Sequence, residues 1–256
     1  MSKSVLRSRI AGVGLAAFLF LCAAAALFAE TADPIPGWLA DVDRVRNAFT
    51  EAIITARASQ VAGGNVTGSA DFQIYTKGED RGLIVFRGGK NDGRKILNVG
   101  QKMWLMVPGA SRALPITPNQ RLLGGASIGD VARVEFSKDY TAALRPEREE
   151  VGERNCRVLD LTSKSQSSPY PRVVLWFDDK ERVPCRLLFS LPSGKKAKDV
   201  LFKKFQKAAG QTVVEEMEIR DLVAGDTGTV TRLEYLSIAP AKIDDRFFTP
   251  EGALDF

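Results

Sequence analysis

The chain has 256 residues, with 36 Lys and Arg against 31 Asp and Glu, a formal charge of +5, and 45% hydrophobic against 26% charged residues. It is too apolar and too balanced in sign to be disordered, and at a mean hydropathy of −0.09 too polar to span a membrane many times. It contains no histidine, which removes Ser-His-Asp and Cys-His catalysis, His-ligated zinc and the commonest general base.

Lys3, Arg7 and Arg9 precede an uncharged stretch, 10–29, whose centre at 15–21 is strongly apolar and whose end is rich in alanine. That layout is a secretory signal, with cleavage positions after the alanines at 24–26 and at Ala29. The other reading is an uncleaved anchor, because the stretch just reaches the roughly 20 residues that a bilayer span needs. Residues 1–29 are therefore expected to be a signal peptide and 30–256 a single exported domain. Three cations belong to the signal, so the remainder carries 33 positive against 31 negative charges. Cys22 falls within the signal, and Leu21 before it does not suit a lipid-attachment site.

From Trp38 the apolar residues Trp38, Val42, Val45, Phe49 and Ile53 recur at spacings of three and four. The spacing predicts one amphipathic helix over 36–58, ended by Gly63-Gly64-Asn65. The period then changes to two: Val66, Ala70, Phe72 and Ile74 alternate with polar residues, and further strands read at 82–87, 94–99 and 102–107. A less regular middle, 115–133, is the candidate lid. Strands resume at 141–151, 155–163, 172–178, 185–190, 197–208, 211–223 and 227–238, so about eleven antiparallel strands accompany one long helix. No repeat or linker divides them.

Cys156 and Cys185 remain in what should be an oxidising compartment, where a disulfide is permitted. They lie on the first and third of three consecutive strands, about 9.6 Å apart in a flat meander. That separation favours two buried thiols, and a disulfide requires the strands to bend together.

Six lysines between 195 and 207 form a basic run. A hairpin at 208–211 sets Lys204 against Glu215, Lys203 against Glu216, Lys198 against Asp221 and Val200 against Ile219, which neutralises the run across its own ladder. The other reading of the run is a binding surface for an anionic membrane or nucleic acid; with the hairpin favoured, no nucleic-acid partner is expected. No phosphate-binding, nucleophile-elbow or metal-spacing motif occurs. The acid pairs Asp178-Asp179, Asp244-Asp245 and Glu149-Glu150 point to opposite strand faces and do not converge. No catalysis, cofactor or metal is expected.

Several strands are apolar on both faces: 83–86, 103–107, 173–177 and 187–189. A strand covered on both sides needs a second layer. A filled barrel and a curved sheet with a ligand cavity both satisfy this.

The stretch Gly100-Gln-Lys-Met-Trp-Leu-Met-Val-Pro108 resembles a hairpin of the LolA-type lipoprotein carriers, and the chain is similar to the broader family of outer-membrane lipoprotein-sorting proteins. The similarity continues in order through Arg112, Pro115-Ile116, Gly125-Ala-Ser-Ile-Gly-Asp130, Tyr170-Pro-Arg-Val-Val-Leu-Trp-Phe-Asp178, Ser193-Gly-Lys195 and Phe247-Phe-Thr-Pro250. The resemblance implies a mainly β (α+β) fold: an unclosed antiparallel barrel, plugged by an N-terminal helix and a short lid over an apolar cavity for acyl chains. On that basis Phe72, Ile74, Phe86, Leu97, Met103, Leu105 and Trp176 are expected to line the cavity, with Trp38, Val42 and Phe49 from the helix. Trp104 and Met106 are the alternative face of their strand. Arg94 and Arg112 are candidates for contacts to the lid or a headgroup, or ordinary rim salt bridges. The implied function is a periplasmic carrier of lipoprotein acyl chains or other lipids, between an inner-membrane donor and an outer-membrane acceptor protein. The alternatives are a LolA-like sensor or accessory protein for a membrane transporter, and, least favoured, an enzyme.

Overall fold

The computed structural model describes residues 33–100, 102–117, 121–123, 126–127, 135–166, 168–223 and 227–256. The segment expected to be a signal and most of the expected 115–133 lid lie outside these residues, including Gly125 and the stretch 128–130. Chain contacts separate Met1–Asp33 from Pro34–Phe256, and the architecture below is that of the second unit. No described helix is long and apolar enough to cross a membrane.

Helix α1 (Ile35–Arg46) opens the unit, with proline in its first turn, and ends at Asn47. A meander follows: β1 (Glu51–Ala62), β2 (Asn65–Lys77), β3 (Arg81–Arg87), β4 (Lys95–Val99), β5 (Lys102–Met106) and β6 (Leu114–Ile116). A small hairpin, β7 (Arg121–Leu123) with β8 (Ala126–Ser127), and the short helix α2 (Phe136–Asp139) lead to a second meander. It comprises β9 (Tyr140–Val151), β10 (Arg154–Ser163), β11 (Arg172–Asp178), β12 (Val183–Ser190), β13 (Lys196–Ala208), β14 (Gln211–Asp221) and β15 (Thr229–Pro240). The chain closes with a 3-10 turn, Asp245–Phe248, and helix α3 (Pro250–Asp255).

The two meanders join into one antiparallel sheet of thirteen strands because β15 pairs with β1. The edges, β6 and β9, do not meet, so the barrel is unclosed. Each edge carries a proline, Pro115 or Pro146, which lacks a donor and discourages further pairing. The count exceeds the expected eleven by β1 and β6. β1 is the correction of most consequence: the predicted helix over 36–58 stops at Arg46. The β-branched run Ile53-Ile54-Thr55 favours extended backbone, and ladders to both β2 and β15 fix it there.

The doubly apolar strands have two separate coverings. Ile84 and Phe86 of β3, Ile96 of β4 and Met103 of β5 face α1 on the concave side. Their neighbours Leu83, Val85, Leu97 and Met106 face outward and are covered by Ile243, Phe248 and Ala253 of the C-terminal segment. That segment is anchored by Lys77, which binds the Ile243 carbonyl (2.6 Å), Glu51 (3.1 Å) and Asp245 (3.0 Å). Buried Lys95 donates to the carbonyls of Ala253 (2.8 Å) and Phe256, and burial lowers its pKa. At Gly252 a Cβ would stand 2.2 Å from the Arg246 carbonyl oxygen, so only glycine lets the chain turn into α3.

On the second meander the outward residues Val158, Trp176 and Leu188 surround a disulfide, Cys156–Cys185. It bridges β10 and β12 across β11, with the Cα atoms 7.1 Å apart. Register shifts at Arg157/Leu159 and Trp176/Phe177 supply the bend that a flat meander lacks. In the lysine-rich hairpin, Lys198 faces Asp221 and Val200 faces Ile219 as expected. A bulge at 203 then moves Lys204 opposite Glu216, which it bridges at 2.7 Å, in place of the expected pairs Lys204–Glu215 and Lys203–Glu216.

Two predictions follow from these coverings. The disulfide closes a loop of 29 residues, so the Cys156→Ser, Cys185→Ser double variant is expected to lose about 3–4 kcal/mol in a denaturant titration. The Lys77 ammonium holds the Glu51 and Asp245 carboxylates below their ordinary pKa, with Arg81 aiding the latter. Folded values below unfolded ones mean that this support is complete above the ordinary carboxylate range and lost as pH falls through the folded values. Hydrogen exchange in 243–255 is therefore expected to rise on acidification before exchange in β1 does.

Candidate functional site

The concave face of the sheet is apolar and α1 lies on it. Trp38, Leu39, Val42 and Val45 form the buried stripe of the helix. The Trp38 ring packs 5.9 Å from that of Phe177, and Phe72 meets Phe86 edge-on at 4.9 Å on the sheet beneath.

Two aspartates pin the helix. Asp41 is 1% exposed and is ion-paired to Arg44 (2.5 Å) and to Arg182 of the β11–β12 turn. Arg182 adopts the left-handed region, φ 57°, an uncommon conformation for a side chain of its kind. Asp43 accepts hydrogen bonds from the Phe136 N–H (2.7 Å), the Ser137 N–H (2.9 Å) and the Ser137 hydroxyl (2.6 Å). It thereby caps α2. Phe136 is fully buried and lies 5.1 Å below the Arg46 guanidinium. Next to it, burial raises the pKa of Tyr140, whose hydroxyl donates to the Tyr170 carbonyl at 3.0 Å.

Where α1 ends, a cleft opens between the Asn47–Phe49 linker and the sheet. It is partly open to solvent, and Phe49, Ile54, Ile74, Val214, Tyr235 and Ile238 are among its walls. Arg46, Asn47 and Thr76 supply polar groups. The β7–β8 hairpin lies against β1 and β14, which flank this region.

Of the residues expected at the cavity, Trp38, Val42, Phe72, Ile74, Phe86 and Met103 are in the core beneath α1, and half-buried Leu105 packs against it. Phe49 reaches the cleft from the linker, not from the helix. Leu97 and Trp176 are on the opposite face, because their neighbours Ile96 and Leu175 take the inward positions of the strand alternation. Trp104 shares the outward cluster with Leu97. Arg94, half-buried before β4, and Arg112, exposed between β5 and β6, are not among the cleft walls. Val214, Tyr235 and Ile238 are cleft residues that strand alternation alone does not single out. Asp41 carries a local signal, since it falls within the stripe Trp38, Val42, Val45.

The fold is that of the LolA superfamily. It is similar to a LolA superfamily protein from Nitrosomonas europaea (24% identity, TM-score 0.73, 84% of this chain and 97% of that one). A DUF1329 family protein from Desulfovibrio piger matches with 21% identity and TM-score 0.73 over 86% of this chain and 97% of that one. A domain described as outer membrane lipoprotein-sorting from Vibrio parahaemolyticus matches with 15% identity and TM-score 0.71, over 86% and 98%. The model of a family of uncharacterized proteins matches residues 78–252, and the chain belongs to that family. No curated protein matches it.

Asp43→Ala removes three hydrogen bonds to a carboxylate and is expected to cost about 2–3 kcal/mol. Amide exchange should rise together in α1 and α2; a rise confined to α2 would show that the aspartate does not hold the helix.

Proposed function

We propose that this protein is a periplasmic carrier that shelters acyl chains of lipoproteins or other lipids on the concave face of its sheet and passes them toward the outer membrane. The observation that carries this reading is the covering of an apolar sheet face by one short helix beside an apolar cleft. Burial of Trp38, Leu39, Val42 and Val45 stabilises the docked helix by about 1.5–3 kcal/mol for each side chain, or roughly 6–12 kcal/mol in all. Acyl methylenes contribute about 0.8 kcal/mol each, so a chain of roughly 8–15 methylenes offsets the loss of the helix. The two coverings are interchangeable in magnitude. A cover of that strength closes the empty protein yet yields to an ordinary acyl chain.

The rest of the reading follows from what such a carrier needs. The N-terminal segment acts as a cleaved export signal, and the disulfide suits an oxidising periplasm. An inner-membrane donor loads the protein and an outer-membrane acceptor empties it. No catalytic step and no cofactor are involved.

Binding of a fluorescent fatty acid tests the proposal. The wild-type protein is expected to bind the probe, and Ile238→Glu, which sets a carboxylate in the half-buried wall of the cleft, should weaken binding about ten-fold or more with the melting temperature little changed. Protein that binds no probe, and that carries no lipid by mass spectrometry when isolated from envelope extracts, would refute the carrier reading.

A further inference from the structure

Strand β14 is paired with β13 over nearly its whole length, from Gln211 opposite Ala208 to Asp221 opposite Lys198. Strand β15 is paired with β1 from Thr229 to Pro240. Between each other, however, β14 and β15 pair at four positions only, from Glu216 opposite Glu234 to Ile219 opposite Thr231. Beyond Glu216 the ladder stops. The segments 211–215 and 236–240 therefore leave a seam with main-chain edges inside the sheet, where interior strands are normally bonded on both sides.

Three features mark this seam. Leu236 is 53% exposed and sits at the register shift opposite Thr55/Ala56, while Ser237, Ala239 and Pro240 are exposed beside it. The carboxamide of Gln206, on β13, donates to the Tyr235 carbonyl at 2.7 Å, so a side-chain amide bonds main chain beside the seam. Finally, the apolar cleft runs along the seam, with Val213 and Val214 on one wall and Tyr235 and Ile238 on the other. A separate open hollow, lined by Phe49 and Pro240, shares the Phe49 wall with it.

A row of backbone donors and acceptors is complementary to another main chain, whereas the cleft is complementary to methylenes. A free fatty acid satisfies the second and not the first. We propose that the β14–β15 seam binds an extended polypeptide segment, so that an acylated polypeptide seats its acyl chain in the cleft and its main chain along 236–240. This deepens the carrier reading and rests on it. Pro240 has no N–H and ends the edge after five residues, which limits pairing between copies of the protein. The main chain reads no side chains, so the site accepts many polypeptide sequences bearing one kind of lipid.

The test compares three probes on the whole protein: N-palmitoylglycine amide, an N-palmitoyl octapeptide of alternating Ser and Thr, and the same octapeptide with alternate amides N-methylated. Binding of the octapeptide is expected to exceed that of palmitoylglycine amide about ten-fold, and N-methylation should abolish the gain. With p-benzoylphenylalanine in place of exposed Leu236, light should crosslink the protein to the octapeptide. Equal affinity for all three probes, or equal gain from the methylated peptide, overturns the seam while leaving the carrier reading intact. A crosslink to a second copy of the protein in place of the peptide also overturns it. Failure to bind any of the three overturns both.

Discussion

The apolar inner face of a sheet that does not close must be covered by something other than the sheet. In this chain a twelve-residue helix shares that work, laying Trp38, Leu39, Val42 and Val45 on the strands. Burial is non-directional, so it does not fix where along the face the helix rests. The aspartates supply direction. Asp41 ties the helix to the β11–β12 turn and Asp43 ties it to α2. A carboxylate as buried as Asp41 is tolerable only while its guanidinium partners stay in place, so displacement of the helix must also return that charge to water. The cover is strong enough to close the face and has a defined position from which to open.

The outer face obeys a different logic. Its apolar residues on β3–β5 are sealed by the C-terminal segment and those on β10–β12 by their own cluster around the disulfide. Lys77, Lys95 and the close approach at Gly252 hold the C-terminal segment against the sheet. The inner face is thus covered by a helix that burial and two aspartates hold in place, and the outer face by contacts that are cross-linked or multiply bonded. In the proposed carrier, the opening is on the helix side.

Much of this was readable from the residues. Period-two alternation located eleven strands, and the resemblance around Met103-Trp104 supplied their arrangement. The limits are physical. Helical spacing through Phe49 and Ile53 is accidental, and pairing with two neighbours overrides it to make β1. Strands apolar on both faces carry no parity signal, so Leu97 and Ile96, or Trp176 and Leu175, cannot be assigned a side until the second covering is known. A one-residue bulge exchanged the partners of Lys203 and Lys204. Arg182 and Ser137 are 141 and 94 positions from the aspartates that bind them, and the β14–β15 seam exists only in the sheet.

The central claim is that an acyl chain entering the cleft displaces α1 from the concave face. Spin labels at exposed Ala40 on α1 and exposed Lys203 on β13 report that displacement as an electron–electron distance. Saturation with a palmitoylated peptide should lengthen and broaden the distance distribution relative to the empty protein. An unchanged distribution with the ligand demonstrably bound would contradict the claim.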